Sequence, residues 1–153
     1  MLKKPNKVAK NKTASFAVKK FGRYKVSHKD DRTYAGIVFD SKWEMEVFKL
    51  LKQFAPNNYF VHRQVAFVLQ PKFKSADGKA VREISYIADF VLCESEQPPT
   101  EIPLPTSCIV IDAKGHITDI FKIKNKMFMY CYKKCIHKVK RAADVMQALD
   151  SCI

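Results

Sequence analysis

The chain has 153 residues and a mass of 17.6 kDa, with 47% hydrophobic and 12% aromatic residues. That size and composition fit one globular domain with its own core and exclude an intrinsically disordered chain. No apolar run approaches bilayer-crossing length, no apolar h-region follows the charged N-terminus, and a net charge of +13 favours an anionic partner.

The charge is concentrated at the start. Residues 1–33 hold 11 Lys and Arg against two Asp, a net of +9, so the rest of the chain nets +4. This stretch has little apolar periodicity and reads as a basic arm. Lys19, Lys20 and Arg23 are among the groups expected to grip nucleic-acid phosphates, where counterion release supplies affinity. A solvated tail that only aids solubility is the bland reading; a membrane-surface role fits less well, because no apolar face is evident.

The next segment, "GIVFDSKWEMEVFKLLKQFAP", predicts a helix capped by Ser41, with Glu44 three residues on and Trp43, Val47, Leu50, Leu51 and Phe54 as its buried stripe. Tyr59–Leu69 is rich in aromatic and β-branched residues and predicts a strand. Asp77-Gly78 marks a turn, and Val81–Leu92 the returning antiparallel strand. The segment Glu94–Ser107 holds four of the seven prolines and predicts a projecting loop. Cys108–Lys114 predicts a third strand, ended by Gly115. After Thr118, a possible cap, comes an amphipathic helix whose polar side is basic, with Lys122, Lys124 and Lys126 as candidate DNA contacts. Ile136–Lys140 and Ala142–Ser151 complete the order as a strand and a helix. The expected class is α/β of the mixed α+β kind, a central mixed sheet flanked by helices.

Five cysteines, an odd number, predict reduced thiols in a cytosol-like compartment. Cys131, Cys135 and His137 lack a second ligand pair at zinc spacing and read as packing cysteines beside a surface histidine.

Asp89 and Asp112 are the residues that the strand patterns do not need. Residues two apart on a strand share a face, so Asp112 and Lys114 project together. Asp89 is out of phase with Tyr86, Ala88 and Phe90 and can approach Asp112 if the two strands are neighbours. Two carboxylates without a cation between them repel, and one protonates. Mg²⁺ suits such oxygens and keeps waters, one of which can attack a phosphodiester. Lys114 can orient or deprotonate that water, or stabilise the transition-state charge. The bland alternatives are a capping-box role for Glu44, a partner such as Arg82 for Asp89, and an exposed ion pair for Asp112 and Lys114.

"YIADFVL" followed by "VIDAKG", with Glu44 on the preceding helix, resembles the PD-(D/E)xK nuclease superfamily. Within it the chain is most similar to the phage endonuclease I-like Holliday-junction resolvases and their small phage relatives, over roughly residues 39–128. Ala88 replaces the proline expected before the first aspartate. The step of 23 residues from Asp89 to Asp112 is longer than in endonuclease I, and the proline loop accommodates it. The resemblance implies a restriction-endonuclease-like core over residues 34–153. It implies a magnesium-dependent endonuclease acting on branched DNA, with Mn²⁺ able to substitute, and a homodimer in the cytoplasm of a phage host. Glu44, Asp89, Asp112 and Lys114 would be catalytic, the first three of them holding the metal. The alternatives are a restriction- or transposase-type nuclease without branch preference, and a non-catalytic DNA-binding or virion protein on the same scaffold.

Overall fold

A computed structural model describes residues 27–150. The expected contacts at Lys19, Lys20 and Arg23 lie outside these residues. A short 3-10 turn, Asp30–Arg32, leads into a small hairpin of β1 (Thr33–Tyr34) and β2 (Ile37–Val38). Helix α1 (Lys42–Phe54) follows, then β3 (Phe60–Gln70), a second small hairpin of β4 (Phe73–Lys74) and β5 (Ala80–Val81), and β6 (Ile84–Cys93). After the proline loop come β7 (Ile109–Asp112), α2 (Asp119–Tyr132), β8 (Ile136–Lys138) and α3 (Ala142–Asp150).

The central sheet has the order β3-β6-β7-β8. The first two pairings are antiparallel and β7 pairs β8 in parallel, so the sheet is mixed, as expected. A parallel pair needs a crossover, and α2 provides it. Helices cover both faces. On one, α1 and α3 bury Val47, Phe48, Leu51, Val145 and Leu149 against Phe90, Leu92, Ile109 and Ile111. On the other, Phe121, Phe128 and Tyr132 of α2 pack on Val65, Phe67, Tyr86, Ala88 and Val110.

Local chemistry explains the element ends. Ser41 caps α1: its Oγ accepts from the Glu44 N–H at 3.1 Å. Thr118 caps α2 in the same way, through the Phe121 N–H at 3.2 Å. Gly78 takes φ +80°, which supports the turn predicted at Asp77-Gly78.

Four expectations need correction. The predicted Val81–Leu92 strand is interrupted at Arg82 and Glu83, so Val81 pairs in the small hairpin instead. Phe54 is exposed at the end of α1, and Met45 and Phe48 occupy the buried stripe. The proline loop folds back as well as projecting. Leu104 is buried in the second core cluster and its N–H bonds the Tyr132 carbonyl at 3.2 Å, because an apolar side chain has more to gain there than in water. Lys122, Lys124 and Lys126 do not share one face of α2. Residues four apart do, so Lys122 and Lys126 lie together, whereas two residues turn a helix more than halfway round and put Lys124 on the other side.

Candidate functional site

The site lies where β7 stops. Strict alternation would put Val61, Arg63, Val65, Phe67 and Leu69 on one face of β3, yet Val61 packs with the α1 cluster and Val65, Phe67 and Leu69 with the α2 cluster. The same change of face occurs in β6 between Ala88 and Phe90. The pairs Arg63↔Phe90 and Val65↔Ala88 bracket it, and between them stand Gln64, at φ +51°, and Asp89. A side chain other than glycine at positive φ is a backbone outlier of the kind that collects at functional sites. The break releases Asp89 from the core alternation on either side.

Asp89 reaches across to the neighbouring strand end, where its Oδ2 accepts from the Ala113 N–H at 2.8 Å. Asp112 is 1% exposed. Its Oδ2 accepts from the Tyr86 hydroxyl at 2.8 Å and lies 3.3 Å from Lys114 Nζ. Its Oδ1 is buried without a hydrogen bond and faces Lys114 Nζ at 3.2 Å. Lys114 lies beyond the strand, contrary to the expectation of a strand running to it, but its side chain turns back to Asp112 and over the Phe121 ring at 4.8 Å. The backbone of Asp112 is pinned from behind. Its carbonyl accepts from the Val139 N–H, and the Val139 carbonyl accepts from the Trp43 indole, each at 2.9 Å.

Glu44 approaches from α1. It is 9% exposed, and its Oε2 accepts from the Asp40 N–H at 3.3 Å. The predicted capping role is therefore present, with the return bond one residue before the cap. Burial, then Asp89 and Asp40, push its carboxyl up to about 7. Burial and then Asp112 push Asp89 up to about 6, against the pull of the Ala113 N–H and Lys114. Burial and then Asp112 also raise the Tyr86 phenol, so it stays protonated and donates.

Asp89 thus feels the charge of Asp112 at the end of β7 and that of Glu44 from the α1 side, while Asp112 is held from the α2 side by Tyr86. No three His, Cys, Asp or Glu side chains among the described residues close into a ready-made metal cage. The donor set nonetheless suits a hard divalent cation. It offers carboxylate oxygens, one of them buried without a hydrogen bond, and two acids raised first by burial and then by neighbouring carboxylates, whose ionised forms a cation would favour.

A family model described as "Protein of unknown function (DUF1064)" matches residues 20–146. The chain belongs to that family. No curated protein and no solved structure matches the chain. The matched span takes in Glu44, Asp89, Asp112, Lys114 and all of α2, and it begins inside the expected basic arm, at Lys20. No helix among the described residues is long and apolar enough to cross a membrane.

The sequence reading missed Tyr86, Asp40 and Arg63 as members of this site. Tyr86 looks like any core aromatic in the strand pattern; only the pairing of β6 with β7 turns its hydroxyl to Asp112. Asp40 raises Glu44, and Arg63, stacked over Phe39 at 4.2 Å, pulls Glu44 the other way. Tyr86→Phe keeps the ring contacts with Phe121 and Phe128 but leaves buried Asp112 Oδ2 with only the longer bond from Lys114 Nζ. The expected loss is about 1–3 kcal/mol in urea unfolding of the metal-free protein. A change below about 0.5 kcal/mol would show that water or another donor replaces the phenol.

Proposed function

We propose that this protein is a metal-dependent endodeoxyribonuclease of the PD-(D/E)xK type, using Mg²⁺ or Mn²⁺ and acting on branched DNA as a homodimer. The observation that carries the reading is the buried Asp112 carboxylate. It has one oxygen without a hydrogen bond and a lysine ammonium 3.2 Å away, and beside it stands Asp89, raised by burial and by Asp112 and itself acting on a raised Glu44. A structural ion pair needs one acid and one base. Extra acids that raise one another's proton affinity are costly for a scaffold and useful to a site that holds a cation.

In this reading Asp112, Asp89 and Glu44 would hold the cation, which would supply charge neutralisation and polarise the phosphate. Tyr86 keeps Asp112 oriented by bonding Oδ2, while Oδ1 accepts no hydrogen bond and faces only the Lys114 ammonium. The Ala113 N–H does the same for Asp89 through its Oδ2. Lys114 is 33% exposed at its side chain, so it can face solvent and substrate while anchored to Asp112. It stabilises the negative charge that develops on the phosphoryl oxygens. Lys122 and Lys126 on one side of α2, Lys124 on the other, and Lys19, Lys20 and Arg23 in the basic segment would hold neighbouring phosphates. The free cysteines among the described residues suit a reducing cytoplasm.

The test is incubation with a four-way junction, a linear duplex and a single strand, each with Mg²⁺ or with chelator. Cation-dependent cutting with preference for the junction is expected. Equal cutting of junction and duplex would favour a restriction- or transposase-type enzyme. Binding of all three without cutting, in either Mg²⁺ or Mn²⁺, would leave a non-catalytic DNA-binding protein.

A further inference from the structure

We propose that the groove between the N-terminal half of α2 and the start of β6 binds one unpaired nucleotide of the DNA strand, next to the phosphate held by Lys114. The proposal deepens the nuclease reading and rests on it for the position of that phosphate. The groove has a volume of about 290 Å³. Its walls include Ile87 and Ile120, its floor Tyr86 and Phe121, and its polar rim Lys114 and Lys124. None of its eight lining residues is acidic.

Ile87 and Ile120 carry the argument. They are 53% and 68% exposed, although the fold has buried apolar surface available on both sides of the sheet. A single exposed isoleucine needs no explanation. Two of them lining one narrow groove, with two ammonium groups at its edge, make an amphipathic slot. Its chemistry asks for a ligand with an apolar body and an attached anion, small enough for the lower end of ligand-site volumes. A nucleobase on its sugar phosphate has that form. The volume is too small for a base pair with its backbones, and a paired base keeps its faces stacked on its neighbours. The base must therefore be unpaired, clasped between apolar side chains as extruded bases are.

The groove adjoins the candidate site through shared groups. Lys114 lines the groove and also contacts Asp112, and the Tyr86 ring lines the groove while its hydroxyl holds Asp112. Lys124, set apart from Lys122 and Lys126 by the helical turn, lines this groove. An unpaired nucleotide seated in the slot would bring its own phosphate to Lys114. Bulges, flaps and branch points opened by unpairing supply such nucleotides, and continuous duplex does not.

The experiment uses the full chain and the variants Ile87→Ser, Ile120→Ser and the double variant. Both positions are exposed, so folding should survive, and circular dichroism with a melting curve checks it. Binding of a labelled duplex with one unpaired thymidine is compared with that of the fully paired duplex, at one salt concentration and with chelator present. The wild type should favour the unpaired substrate by about tenfold or more, and the double variant should bring the ratio of the two affinities close to one. A wild-type ratio near one, or a ratio unchanged in the double variant, overturns the proposal. Cutting of the same two duplexes in Mg²⁺ separates the two readings. Cutting without a binding preference removes the groove and leaves the nuclease. A preference that the double variant loses, without cutting of either duplex or of a four-way junction, keeps the groove and removes the nuclease.

Discussion

Lys114→Ala is expected to slow DNA cleavage by about 10²–10³-fold, the loss typical of removing one preorganised electrostatic group at a reacting oxyanion. Asp112→Asn is expected to abolish cleavage through weaker cation binding, because it removes a full charge from a donor that is 1% exposed. The two variants part company in stability. Lys114→Ala leaves the buried Asp112 carboxylate with only the Tyr86 hydroxyl, and should destabilise the metal-free protein by roughly 1–3 kcal/mol. Asp112→Asn removes the buried charge itself, so the double variant should recover much of the loss suffered by Lys114→Ala. That non-additivity marks a direct pair. Junction affinity, measured by gel shift on the same preparations, should survive both changes if, as proposed, the basic segment and α2 grip most of the phosphates. Wild-type cutting rates in either single variant would remove that residue from the mechanism.

The second large effect is on pH. Glu44 is raised from 4.5 to about 7 and Asp89 from 3.8 to about 6, each chiefly by burial. An acid with a raised folded-state pKa holds its proton longer in the folded chain than in the unfolded one. Between the two values the folded state binds more protons, so stability falls as pH rises. For Glu44 the window runs from about 4.5 to about 7, and the loss across it is on the order of 3 kcal/mol. The metal-free protein should therefore lose stability as pH rises from about 4 to about 7, with little further loss above that. Glu44→Gln should remove most of that slope, because glutamine does not titrate and its side-chain oxygen can still accept from the Asp40 N–H. Mg²⁺ should flatten the decline in the wild type more than in the variant, since a cation favours the ionised acids. Urea denaturation at several pH values measures the slopes. Equal slopes in wild type and Glu44→Gln would mean that Glu44 ionises normally and is not part of an acid cluster.

Much of the architecture was legible because local chemistry agrees with the final fold. Ser41 before an apolar 3.6-residue pattern, Asp77-Gly78 between two β-rich runs, and Thr118 before α2 act through their nearest neighbours in the chain. The unneeded polarity of Asp89 and Asp112 was legible for the same reason, since period-2 alternation has no use for it. The chain alone therefore determined a mixed α/β order and singled out Glu44, Asp89, Asp112 and Lys114. Only the tertiary structure decided what surrounds them. The antiparallel pairing of β6 with β7 turned Tyr86 from a core aromatic into the donor that holds Asp112, and the change of face at Gln64 and Asp89 follows from two strands moving together. Leu104 shows the same limit. Four prolines nearby rule out a regular element, but burial against α2 depends on residues far along the chain. Lys124 was grouped with Lys122 and Lys126 by spacing in sequence, and the helical turn separated them. A pattern records what a residue needs from its neighbours in the chain; the contacts that make a site are long-range, and pairing and packing alone create them.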